Sequence, residues 1–168
     1  MEIKYKIGDY VVHKFNGVCQ VVDIKKEDYG NGIESYYVLE SFDSISKMHI
    51  MIPTANCPQL RDIITTEEAN KIVEHLPKSK DIWIKDARRR KERYNEIIDK
   101  GSYEDMCDLL HTLYFKKEEY KENKKPIPIE DKKIFDLAEK ILFGELSISL
   151  GIDKSEISNY INSKLFIN

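Results

Sequence analysis

Apolar residues change rhythm once along this chain, near Thr65, and that change divides it into a β part and an α part. Ahead of it, short β-branched runs are cut by turn residues. Gly8-Asp9 makes a tight turn, because Gly tolerates φ > 0 and Asp bonds nearby backbone. Val11-Val12 follows, and Asn16-Gly17 is a strong hairpin signal. In the next run Val18, Val22 and Ile24 fall on one face, with Gln20 interrupting. Asp28 to Gly32 is a turn-rich loop, Tyr36 to Leu39 a third strand, and Asp43 to Lys47 a further turn. Met48 to Ile52 alternates, with Met48, Ile50 and Ile52 on one side and His49 and Met51 on the other. Pro53 ends that strand because it has no N–H for a ladder. Four or five short strands with close turns predict a small, strongly bent barrel.

Residues 54–64 carry no period and read as a connector. Thr65 with Glu68 is a capping-box signature for a first helix reaching about Leu76, stopped by Pro77. A second helix is predicted from near Asp81 to Gly101, a C-terminal cap. Ser102 with Asp105 opens a third, whose core stripe is Met106, Leu109, Leu110, Leu113 and Tyr114. Lys116 to Lys125 reads as a charged link. Pro126 and Pro128 lead into a fourth helix that buries Ile134, Leu137, Ala138, Ile141 and Leu142. A last short helix uses Ile157, Tyr160 and Ile161 after an Asp153/Glu156 cap. The expected fold class is therefore α+β in two domains, residues 1–64 forming the β-barrel and 65–168 an all-α bundle of about five helices.

The 168 residues suffice for one large or two small domains. The formal net charge of −3 argues against indiscriminate coating of nucleic acid and leaves room for a local basic patch. Glu2, Lys4 and Lys6 interrupt the N-terminus where a secretory signal needs an apolar core, and no apolar run reaches membrane-spanning length. Cys19, Cys57 and Cys107 are odd in number and lack CxxC spacing, so three reduced thiols in a cytoplasmic protein are expected, without a metal site.

Signatures of catalysis are missing. There is no phosphate-binding glycine loop, no dinucleotide fingerprint and no nucleophile elbow, and His13, His49, His75 and His111 are dispersed. No catalytic residue, cofactor or small-molecule substrate is expected. The strongest local feature is Lys85-Asp-Ala-Arg-Arg-Arg-Lys-Glu-Arg93 on the second helix, where Arg89, Arg90 and Arg93 can share one broad face. Arginine forks suit phosphates, and clustered cations release counterions from nucleic acid. The same pattern also fits a solvated face paired with Asp86, Glu92 and Glu96. Trp83, the sole tryptophan, stands at the start of that helix; it either packs or wedges against a base. Leu146 to Ile161 mimics a helix-turn-helix, but its second helix has no arginine and begins with Asp153 and Glu156, so an antiparallel helix pair is the expected form.

Lys6-Ile-Gly-Asp-Tyr-Val-Val-His13, Gly17-Val18, Tyr36-Tyr-Val-Leu39, Met51-Ile-Pro53 and Leu60-Arg61 resemble the RNA polymerase-interacting domain of the CarD/CdnL transcription regulators, shared with the transcription-repair coupling factor. The helical remainder is similar too: a basic helix ending at Lys100-Gly101, a Leu-Leu-x-x-Leu helix, then Ala138-Glu-Lys-Ile-Leu142 and Glu145-Leu146. The resemblance implies a Tudor-like barrel that grips the RNA polymerase β subunit. It also implies a helical domain touching promoter DNA at the upstream edge of the bubble, largely without sequence preference, with a Trp wedged in the minor groove. Measured back from Gly101 the wedge position falls at Ala87, one helical turn after Trp83. Arginines of the polymerase-facing strands correspond to Glu27 and Met51 here.

The expected function is thus a non-enzymatic regulator that stabilises the open promoter complex. Trp83, Lys85, Arg89, Arg90 and Arg93 would meet DNA, while Glu27, His49 and Met51 would meet polymerase; no membrane is involved. The alternative is an adaptor on polymerase whose helical domain binds another protein.

Overall fold

The computed structural model describes residues 3–42 and 48–165; the turn expected at Asp43 to Lys47 lies outside them. The chain divides into two compact units, Met1–Ile63 and Ile64–Asn168.

In the first unit, Gly8 takes φ +98°, and the turn is closed by Lys6 N–H donating to Asp9 Oδ2 at 2.9 Å. It feeds β1 (Tyr10–His13), which hairpins into β2 (Gly17–Asp28). The loop has three residues, Lys14 to Asn16, followed by Gly17 at φ +72°, the arrangement that pairs a turn with a left-handed closing residue. Strands β3 (Ile33–Ser41) and β4 (His49–Pro53) continue the antiparallel meander. A fifth strand, β5 (Leu60–Asp62), pairs with β1 inside the stretch expected to be a connector. Three residues are too few to show a period, so this strand has no sequence signal of its own.

The sheet order is β4-β3-β2-β1-β5, and the sheet is open rather than a closed barrel. Its two edge strands, β4 and β5, are not paired with each other, and Pro53, which has no N–H to donate, closes the end of β4. The expected apolar face of β2 is also corrected. Val21 opposes Leu39 while Asp23 opposes Val38, so Val22 is the extra residue of a β-bulge. One added residue inverts the alternation. The core face consequently reads Cys19, Val21 and Ile24, packed with Tyr5, Val11, Tyr37, Leu39 and Ile52.

The described part of the second unit has five α-helices: α1 (Thr66–His75), α2 (Ala87–Lys100), α3 (Tyr103–Glu122), α4 (Ile129–Leu150) and α5 (Ile157–Leu165). Thr65 caps α1 by accepting from Glu68 N–H at 3.1 Å. Ser102 and Asp105 cap α3 reciprocally. Met106, Leu109, Leu110 and Leu113 are buried as expected, with Tyr114 half-buried; from α4, Ile134, Ala138, Ile141 and Leu142 join them, with Leu137 half-buried. Gly151 at φ +67° stops α4, and α5 buries Ile157, Ile161 and Leu165 against the bundle.

Two expected boundaries move. The charged link expected over Lys116 to Lys125 is mostly helix, since α3 runs to Glu122. One of its lysines meets an aromatic ring of α4: the Lys117 ammonium sits 5.3 Å from the Phe135 ring centre. The second helix begins at Ala87 with Asp86 as its cap, later than the expected Asp81. Residues 79–85 are not helical.

Candidate functional site

That non-helical segment is held backbone group by backbone group. Lys80 N–H donates to Asp108 Oδ1 at 2.9 Å. Ile82 N–H donates to Thr112 Oγ1 at 2.9 Å, and the Tyr94 hydroxyl donates to Ile82 O at 3.1 Å. Burial pushes the Tyr94 phenol up to about 12, so it remains a donor. These side chains come from α2 and α3 and satisfy the groups that a helical ladder would otherwise use. Asp81 Oδ1 does accept from Trp83 N–H at 2.9 Å, the local bond an Asp offers in place of a helix. Here tertiary bonds override the helical reading of the sequence.

Trp83 is half-buried on this strap. The Arg90 guanidinium carbon lies 4.2 Å from its ring centre and the Lys116 ammonium 4.6 Å. Both distances are within the range of cation–π attraction. The four residues from Trp83 to Ala87 are not a turn of helix, so the two positions do not share a helical face; Ala87 is the exposed first residue of α2.

Arg89, Arg90 and Arg93 do not share one exposed face either. Arg90 is 6% exposed and points inward. Its Nε and Nη2 donate to the two carboxylate oxygens of Asp131, each at 2.8 Å, and its Nη1 donates to Ile84 O at 2.9 Å and Lys85 O at 3.2 Å. Lys85, Arg88 and Arg89 are exposed. Arg88 pairs with Glu92 at 3.4 Å, Lys91 with Glu130 at 3.6 Å and Arg93 with Glu96 at 3.5 Å. Sequence reasoning missed Asp108, Thr112 and Tyr94 as partners of the strap, and Asp131 as the partner of Arg90. Only long-range packing brings them there, although a lone Asp on the buried side of α4 is a signal that a cation must meet it.

In the first unit, Glu27 opposes Glu34, Met51 opposes Val38 and His49 opposes Glu40. Residues 34, 38 and 40 of β3 alternate to the same face, so Glu27, His49 and Met51 share the side of the sheet opposite its core cluster. His49 Nε2 is 3.5 Å from Glu40 Oε2. The Tyr29 hydroxyl lies 4.0 Å from Met51 Sδ, and the Tyr29 ring stands edge-on to Tyr36 at 5.5 Å. Tyr29 and Tyr36, absent from the sequence-based site, thus join Met51 in one aromatic and thioether strip, in which Tyr29 and Met51 are exposed and Tyr36 is half-buried. Its place in a turn-rich loop hides Tyr29 from a reading of the sequence.

Among the described residues no group of three or more His, Cys, Asp or Glu is placed to hold a metal ion. No helix among them is long and apolar enough to cross a membrane.

An antiparallel sheet unit followed by a helical bundle is the layout of a two-domain α+β protein, with its distinctive side chains on a sheet face and a tethered strap. A family model described as CarD-like/TRCF RID domain matches residues 5–64, and one described as CarD, C-terminal domain, matches residues 71–162. The chain belongs to the CarD-like family of transcription regulators, which act through RNA polymerase. This is a family of transcription-factor type and not an enzyme family. The chain is also similar to YdeB of Bacillus subtilis (strain 168), a candidate transcription factor by name. The two are 26% identical over 165 residues, covering 93% of this chain and 99% of that protein.

Proposed function

We propose that this protein docks its sheet unit on the RNA polymerase β subunit and sets its helical unit against promoter DNA at the upstream edge of the bubble, stabilising the open complex without chemistry of its own. The observation that carries the reading is Trp83, a half-buried indole on a strap fastened to α2 and α3. An aromatic side chain held this way suits insertion at a distorted base step, where unstacking costs a few kcal/mol and an ordered wedge offsets part of it. Exposed Lys85 and Arg89 nearby supply phosphate contacts, which give affinity without sequence information. For the sheet unit, the Tyr29–Tyr36–Met51 strip offers apolar contact area beside β4, whose outer edge is unpaired among the described residues and suits a protein partner.

Trp83→Ala tests the reading in an open-complex decay assay with polymerase and a promoter. The lifetime shortens while polymerase binding stays as in the wild type; an unchanged lifetime sinks the wedge. One observation favours the second reading, in which the helical unit binds a protein: Arg88, Lys91 and Arg93 are matched by glutamates. Absence of any salt-dependent DNA affinity would select that adaptor role.

A further inference from the structure

We propose that Arg90 is the positioning residue of Trp83, fixing the indole through its fork on Asp131, and is not itself a contact to DNA phosphate. The inference rests on the reading that Trp83 meets promoter DNA. Arg90 makes four hydrogen bonds from its three guanidinium nitrogens, two to Asp131 and one each to the carbonyls of Ile84 and Lys85, and all four partners belong to this chain. The two carbonyls belong to the two residues that follow Trp83. The guanidinium whose Nη1 donates to them also lies over the indole, its carbon 4.2 Å from the ring centre. One planar group therefore holds both the ring and the backbone that carries it.

Stability alone is a poor account of this pair. A buried fork loses in desolvation much of what it gains in attraction, and apolar residues of similar volume often serve the fold equally well. What such residues cannot supply is direction: a rigid fork that ties α4 to the strap while lying against an aromatic ring. A wedge on a mobile strap would spend binding free energy on ordering itself, and a fixed one would not. The orientation also removes Arg90 from the set of cations that can release counterions from DNA.

The test uses the full chain with Arg90→Met and Asp131→Leu together, so that no buried charge is orphaned. Trp83 is the sole tryptophan, so its fluorescence reads the strap directly. In a variant with wild-type circular dichroism, acrylamide quenching of Trp83 rises and its emission shifts to the red. The open-complex lifetime falls to that of Trp83→Ala, and adding Trp83→Ala to the double variant shortens it no further. The salt dependence of DNA binding keeps its wild-type slope. Wild-type quenching and emission in the folded variant overturn the proposal, as does a salt slope flattened by the equivalent of one phosphate. Should the double variant fail to fold, Arg90→Lys keeps the charge without the fork and gives the same rise in quenching; wild-type quenching there overturns it. If Trp83→Ala itself leaves the lifetime unchanged, the DNA reading fails, while the fluorescence still decides what holds the indole.

Discussion

Arg90 and Asp131, forty-one positions apart in the chain, meet through two parallel 2.8 Å bonds with both side chains almost wholly buried. Such a pair is asymmetric in its energetics: replacing both partners is mild, but removing one strands the other. Asp131→Ala leaves a guanidinium in the interior with two of its donors unmet, which costs about 3–5 kcal/mol. Urea unfolding followed by circular dichroism of the helices checks this. A loss below about 1 kcal/mol would mean that water reaches Arg90 in the folded state.

Gly101 and Gly151 both follow helices, for different reasons. Gly151 has φ +67° with open space around it, so the backbone conformation alone selects glycine there. Gly101 has φ −67°, which any residue adopts, but an added Cβ would lie 2.6 Å from the Ile97 carbonyl oxygen. Gly101→Ala therefore costs about 1–3 kcal/mol as an overpacking change. Asparagine separates the two cases in thermal melts: Gly151→Asn is tolerated because Asn visits the left-handed region, and Gly101→Asn is not.

His13 closes the β1–β2 loop from within. Its Nδ1 accepts from Phe15 N–H at 3.1 Å and from Asn16 N–H at 3.2 Å, so this nitrogen must carry no proton. Burial lowers the imidazole below its ordinary pKa. The unfolded chain consequently binds the proton first. The stability His13 lends is complete above the unfolded value of about 6.5 and is lost as pH falls toward the folded value. Denaturation of wild type and His13→Gln between pH 7.5 and 5 checks it: the difference between the two stabilities shrinks as the pH drops.

Much of this architecture is legible in the residues, and the misreadings have physical causes. Helices with local caps, such as Ser102 with Asp105, are legible because the signal and the bond are three residues apart. The start of α2 is not, because Asp81 and Asp86 both suit a cap, and the choice between them is made by Thr112 and Tyr94 from elsewhere in the chain. The β2 face escapes a reading by alternation because the bulge at Val22 inverts it without a glycine or proline to announce the change. Trp83 stands out because it is unique. Arg90 groups with its neighbours because a run of three arginines does not reveal which one turns inward.

Met51 lies on the outward face of an edge strand and is 38% exposed. Met51→Glu leaves the fold intact, changing stability by no more than about 0.5 kcal/mol, as surface substitutions do. It adds a carboxylate to a face that already carries Glu27, Glu34 and Glu40, and takes apolar area from the Tyr29–Tyr36 strip. Polymerase capture by the full chain should weaken accordingly. Equal capture by wild type and variant would remove β4 from the docking surface.

Cations on α2 and just ahead of it differ in what they can give to DNA. Arg90 is committed inside, and Arg88, Lys91 and Arg93 each face a glutamate, while Lys85 and Arg89 are exposed and make no ion pair among the described residues. A side chain already paired must break its pair before it releases a counterion, so the unpaired ones contribute most to the salt dependence. Lys85→Ala with Arg89→Ala should lower duplex affinity uniformly across sequences and flatten the log–log salt slope by about 0.9 for each phosphate that is no longer neutralised. Glu92→Gln, which frees Arg88, should steepen the slope instead. Titrations of a labelled duplex at several salt concentrations measure both, and an unchanged slope in the double variant would show that α2 presents a merely solvated face.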